Sequence, residues 1–149
     1  MVHIERSALV LHPAFVMHAL VADIPAYPQF LPWCQGSERR LIAPDEVEAT
    51  LHIEFRGIRQ RFTTRNKTHP DQSIELKLVE GPFNHLDGRW SFVPLGADAS
   101  KVHLVLNYQL ASGLLEHLVG PMFSFIAGTL VEAFVRRAES LDQGKRDAG

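Results

Sequence analysis

Glu46-Val47-Glu48-Ala49-Thr50-Leu51-His52-Ile53-Glu54-Phe55-Arg56-Gly57-Ile58-Arg59-Gln60-Arg61-Phe62-Thr63-Thr64-Arg65 alternates with period two on either side of a glycine. Val47, Ala49, Leu51, Ile53 and Phe55 share one face, and Glu46, Glu48, Thr50, His52 and Glu54 the other. Successive side chains of a strand point to opposite faces, so this stretch is a strand with one dry and one wet side. Gly57 supplies a tight turn, after which Ile58, Gln60, Phe62 and Thr64 continue the dry face against Arg59, Arg61, Thr63 and Arg65. The same period governs the chain further on. Ile74, Leu76 and Leu78 oppose Glu75 and Lys77. Leu86, Gly88, Trp90 and Phe92 oppose Asp87, Arg89 and Ser91. Val102, Leu104, Leu106, Tyr108 and Leu110 close the series. The breaks at His69-Pro70-Asp71-Gln72, Gly81-Pro82-Phe83-Asn84 and Gly96-Ala97-Asp98 are too short for crossover helices, so the strands form an antiparallel meander.

Helices flank this core. Residues 2–11 read as a first strand. Pro13 suits the first turn of a short helix with apolar Ala14, Phe15, Met17, Leu20 and Val21. Asp23 is placed to cap a second short segment, and Pro25, Pro28 and Pro32 forbid a long one. From Ser112 or Gly113 to about Leu141 the apolar residues recur at three and four, as on a broad helical stripe, with a kink or break expected at Pro121. One domain over residues 1–142 and a flexible polar tail over 143–149 follow. The expected architecture is α+β: six to seven antiparallel strands curved around a long C-terminal helix, with two short helices after the first strand.

Composition narrows the classes. At 46% hydrophobic and 21% charged residues, 149 residues can bury a core without staples. No uninterrupted apolar run reaches the roughly 18 residues that span a bilayer. Met1 to Arg6 shows no basic segment followed by an apolar one, so no secretory leader is expected. Cys34 is the single cysteine, which suits a reducing, cytoplasmic setting and reads as a small buried hydrophobe. A net charge of −2 argues against a wholly basic nucleic-acid-binding surface. Metal binding is not expected, because the histidines never stand at i, i+4 on a helix and no acidic cluster has ligand spacing.

A single helix presents a strip about 10 Å wide, whereas six or seven strands at ~4.8 Å span roughly 30 Å. The sheet must curl, and where curl and helix fail to meet a cavity remains. The same aromatics could instead fill that space as ordinary core.

Asp23-Ile24-Pro25-Ala26-Tyr27-Pro28-Gln29-Phe30-Leu31-Pro32-Trp33-Cys34 resembles the helix-turn motif of the coenzyme Q-binding branch of the START-like (helix-grip, Bet v 1-like, polyketide cyclase/dehydrase) superfamily. Phe62-Thr63-Thr64-Arg65-Asn66, Glu80-Gly81-Pro82-Phe83 with Leu86 to Phe92, and Ala133-Phe134 with Arg136-Arg137-Ala138 agree in type and order. The resemblance implies a helix-grip fold with an apolar tunnel. It implies a ubiquinone carrier or chaperone supporting respiration, in the cytoplasm or peripheral to the inner membrane, with no required cofactor. Similar bacterial proteins are described as ribosome association toxins that bind the large ribosomal subunit and its rRNA and block subunit joining. Older descriptions of the group speak of polyketide cyclases or dehydrases and of lipid transport.

Candidate cavity residues are Phe30, Trp33, Phe55, Phe62, Phe83, Trp90, Phe92, Tyr108, Met122, Phe123, Ile126 and Leu130. Cyclase chemistry needs an acid or base facing the cavity. The alternation puts His52, Glu54, Glu75, Asp87 and His103 on the wet side and leaves Gln60 and Thr64 inward, with Arg6, Ser7 or Asn107 joining them only after a register shift. Enzymatic activity is therefore not the expectation. Arg59, Arg61, Arg65 and Lys67 form a basic stripe that could meet rRNA phosphates or an anionic membrane surface. It could equally pair with Glu46, Glu48 and Glu54 on the facing strand.

Overall fold

A computed structural model describes residues 1–148, with side chains to Lys145. Its strands are β1 (Val2–Val10), β2 (Cys34–Ala43), β3 (Glu46–Phe55), β4 (Ile58–Thr68), β5 (Ile74–Glu80), β6 (Phe83–Pro94) and β7 (Ser100–Leu110). Helix α1 (Ala14–Ala22) and a 3-10 helix (Ile24–Gln29) follow β1, and α2 (Gly113–Ala148) ends the chain. The seven strands form one antiparallel sheet in the order β1-β7-β6-β5-β4-β3-β2. This is the helix-grip architecture, with β1 and β2 as its edges.

The turn between β3 and β4 shows how local chemistry sets register. Arg56 and Gly57 both have positive φ, 53° and 81°, the backbone of a two-residue hairpin loop. Phe55 therefore faces Ile58, and each pair back to Glu46 and Lys67 follows in step. Inner residues stay inner along both strands. The next turn is held by Asp71, whose carboxylate accepts from the Ser73 amide at 2.9 Å and hydroxyl at 2.6 Å.

Helix α2 buries Val119, Met122, Phe123, Ile126, Ala127, Val131, Phe134 and Ala138 against the sheet. Ser112 caps it, accepting from the Leu115 amide at 3.1 Å. The helix is continuous through Pro121, where a kink or break was expected. The carbonyl left without a partner by proline is that of exposed His117, which water can satisfy. It also runs to Ala148 rather than stopping near Leu141, because no proline interrupts the residues beyond and Gln143 and Lys145 favour the helix enough to carry it through Gly144. Averaged over a window, α2 is apolar enough to cross a membrane, with a mean hydropathy of 1.7, a property that a search for uninterrupted runs does not register. Its apolar stripe faces the sheet. Asp23 makes no side-chain cap. Pro25 in the first turn removes one amide it could have bound, and the Asp23 carbonyl accepts from Ala26 at 3.1 Å instead.

Gly81 has φ 151°, and a Cβ there would lie 2.7 Å from the Phe62 Cβ, whereas one on Gly57 would meet open space. Gly57→Ala should then cost about 1 kcal/mol of backbone strain, and Gly81→Ala at least about 2 kcal/mol, since Phe62 must also move. Equilibrium urea unfolding of the two variants measures the difference, and equal costs would contradict this reading.

Candidate functional site

Between the inner face and α2 the sheet bends around an aromatic cluster. Phe123 meets Phe83 at 4.8 Å between ring centroids and Phe62 at 6.0 Å. Phe134 meets Trp90 at 5.3 Å, Tyr27 at 5.4 Å and Phe30 at 5.2 Å. These edge-to-face contacts fill most of the space the geometry opens. What remains is an apolar cavity of about 100 Å³. Both open alternatives are therefore partly realised: the aromatics are core, and a void persists among them. Its size suits one ring or one short branched group, below the roughly 300 Å³ of an ordinary ligand pocket.

Trp33, Phe62, Phe83, Trp90, Tyr108, Phe123, Ile126 and Leu130 line this cavity as expected positions. Phe30, Phe55, Phe92 and Met122 do not. Phe30 lies outside, on the flank of α2. Phe55, at the hairpin end, stacks on Phe125 at 5.2 Å. Phe92 has the right parity but stacks beyond Trp90 at 6.2 Å, toward α1. Met122 is buried without reaching the void. The wall also includes Tyr27 and Phe134, which sequence reasoning passed over. Phe134 could have been found from its spacing, since Phe123, Ala127, Leu130 and Phe134 step along one helical face. Tyr27 sits on a 3-10 helix, where no periodicity announces it.

The polar groups at the wall are few. Thr64, inward as the alternation requires, donates to Asn66 Oδ1 at 2.7 Å. Tyr27 donates its hydroxyl to the Val21 carbonyl, and burial pushes its phenol well above the ordinary range. Burial, with Glu116 nearby, also raises the Tyr108 phenol. Among the described residues no carboxylate, imidazole or ammonium group lines the cavity, and no cluster of three His, Cys, Asp or Glu could hold a metal. Such a wall can bind and orient an apolar molecule, but it offers no group that titrates near neutral pH. Gln60 borders an outer polar groove instead, because β4 pairs with β5 only from Thr63 onward and its first residues overhang. Asn107 faces outward, donating to Asp87 at 2.9 Å. Ser7 is exposed, and Arg6 lies exposed at the sheet edge beside Gly128.

The basic stripe lies on the outer face and is largely neutralised there. Arg59 meets Glu54 at 3.2 Å, Arg61 meets Glu80 at 3.2 Å, and Arg65 meets Glu46 and Glu48 at 3.5 Å each. Lys67 makes no ion pair among the described residues. Cross-strand pairing is the arrangement the register imposes. The wet-face residues pair likewise: His52 with Glu38 at 2.8 Å, His103 with Glu5 at 2.8 Å and Arg89 with Glu75 at 3.7 Å. Cys34 is buried, and burial pushes its thiol up.

His18 of α1 stands edge-on to Phe92 at 5.4 Å, with Nε2 buried and unpartnered, and burial lowers its pKa from 6.5.

A family model described as polyketide cyclase / dehydrase and lipid transport matches residues 10–135. The ribosome association toxin RatA of Pseudomonas aeruginosa is 42% identical over 93% of this chain and 96% of its own length. The mitochondrial coenzyme Q-binding protein COQ10 homolog B of Xenopus laevis is 27% identical over 82% of this chain and 52% of its own. The solved structure of the ZhuI aromatase/cyclase from Streptomyces sp. R1128 superposes with a TM-score of 0.76 over 93% of each chain. At 22% identity that likeness concerns the fold alone.

Two measurements test this geometry. Phe134→Ala should cost about 3–5 kcal/mol in urea unfolding, whereas half-exposed Phe125→Ala should cost about 1 kcal/mol or less. Comparable losses would mean that the aromatic cluster is not the core. For His18 the folded pKa lies below the unfolded one, so the unfolded chain binds the proton first and stability falls as pH drops below about 6.5. His18→Leu should narrow the gap between the melting temperatures at pH 7 and pH 5, and an unchanged gap would contradict the assignment.

Proposed function

The chain belongs to the polyketide cyclase / dehydrase and lipid transport family, and on that premise we propose that it is a binding protein rather than an enzyme, associating with the ribosome through its outer surface and holding an apolar isoprenoid of the ubiquinone class in its interior. The observation that carries the interior half is the cavity itself, which is lined mostly by aromatic and aliphatic side chains and has no acid or base at its wall. The ring-sized void accepts a head group or one prenyl unit. A longer chain requires α2 to move off the sheet, and each isoprene unit so enclosed brings about four methylene equivalents of burial at about 0.8 kcal/mol each. The relative named as coenzyme Q-binding supports this reading.

The outer half is supported by the relative named as a ribosome association toxin, which matches along nearly its whole length. Large-subunit rRNA would meet the β3–β4 face, where Arg59, Arg61, Arg65 and Lys67 stand. Three of these are already paired with glutamates, so phosphate would have to displace exposed carboxylates. Such exchange is inexpensive, because exposed pairs contribute about 0–1 kcal/mol.

Sedimentation with ribosomes and organic extraction of the purified protein separate the two halves. Changing Arg59, Arg61 and Arg65 together to Glu should release the protein from the large subunit while leaving ubiquinone uptake intact. Ala127→Leu, which fills the cavity, should block uptake and leave sedimentation intact. Protein that extracts empty and refuses a short-chain ubiquinone would remove the isoprenoid half. Wild-type protein that stays at the top of the gradient would remove the ribosomal one.

A further inference from the structure

On the outer flank of α2, sharing only Trp33 with the cavity wall, a groove of about 470 Å³ runs between residues 29–33 and residues 125–140. It falls within the range of small-ligand sites, unlike the tighter interior. Its floor is apolar, from Phe30, Pro32 and Phe125, and one end carries Arg136 and Arg137. No carboxylate lines it. We propose that this groove is a second binding site, for a single-chain amphiphile with a phosphate head, the head on Arg136 and Arg137 and the tail along Phe30, Pro32 and Phe125.

The guanidinium of Arg137 is already oriented. It donates to Gln29 Oε1 at 2.8 Å and lies 5.1 Å from the centroid of the Phe30 ring. Phe30 is itself fixed edge-on against Phe134 at 5.2 Å and Tyr27 at 6.1 Å. Among the described residues no carboxylate pairs with Arg137. It is a cation held in place on an aromatic face with most of its N–H fork unused. Arg136 is bound to Glu132 at 2.6 Å, one helical turn back, with its side chain 73% exposed. An exposed pair of this kind is weak and yields to a doubly charged phosphate. Two adjacent guanidiniums offer more donors than a carboxylate can use, and their planar forks match phosphate oxygens two at a time. The apolar floor adds what inorganic phosphate lacks. Phe125 is 48% exposed, which an occupant's tail would cover.

Isothermal titration of the full chain with decyl phosphate below its micelle concentration, 1-decanol and inorganic phosphate tests the site. Decyl phosphate should bind at least about tenfold more tightly than either of the others, and more weakly as salt rises. Arg137→Gln and Arg136→Gln should each weaken it by about tenfold while leaving 1-decanol unchanged. Arg136 is exposed and Arg137 half-buried with one side-chain hydrogen bond, so each variant should stay folded and melt within a few degrees of wild type. Ala127→Leu should leave decyl phosphate binding intact, because it fills only the interior, and failure of the ubiquinone reading is thereby kept apart from failure of this one. Equal affinities for decyl phosphate and 1-decanol would overturn the proposal. So would an unaffected Arg137→Gln variant, loss of binding in Ala127→Leu, or binding to phosphatidic acid vesicles with none to monomeric decyl phosphate.

Discussion

One long helix must cover the inner face of a sheet much wider than itself, and large aromatic side chains make up the difference. Phe123 and Phe134, three turns apart on α2, reach Phe62, Phe83 and Trp90 on β4 and β6. An aliphatic helix face would leave a gap several methylenes wide along this line, and voids of that size are costly. The rings bridge it with edge contacts, whose geometry leaves corners unfilled. The residual cavity is what remains when flat, rigid shapes fill a curved space. The same rings therefore hold the fold together and line the interior cavity.

The outer face follows a different rule. Every inner residue is matched by an outer one, and the register that places Leu51 beside Phe62 also places Glu48 beside Arg65 and Glu54 beside Arg59. Charge on this surface is consequently arranged as a ladder of opposite signs. Exposed pairs of this kind add little stability, but they penalise a one-residue slip, which would bring apolar residues out and carboxylates in.

Most of the fold could be read from the sequence because period two survives across the meander with few interruptions. The turns at Gly57, His69–Gln72 and Gly81 sit where the alternation resets, and the stripe on α2 repeats at three and four. The failures have a common cause. Parity tells which face a side chain takes, not how far along the sheet the covering helix reaches, so Phe55 and Phe92 share the face of Phe62 and Trp90 yet lie past the ends of the cavity. Met122 fails for the helical analogue of this reason, being buried one position off the lining face. Tyr27 on the proline-rich 3-10 helix and Phe30 just after it follow no period, and only the folded chain shows one at the wall and the other outside. Arg136 and Arg137 stood in the sequence as part of a motif, but the groove beside them is made by residues 29–33 and has no local signature.

The strand order has a consequence for synthesis. β1 precedes every other element described, yet it pairs only with β7, Val2 lying opposite Tyr108. The interior is then closed by α2, the last element described. Neither β1 nor the cavity can reach its final form until the residues through α2 have been made. The interior therefore waits on long-range closure among β1, β7 and α2 rather than on pairing between neighbours in sequence.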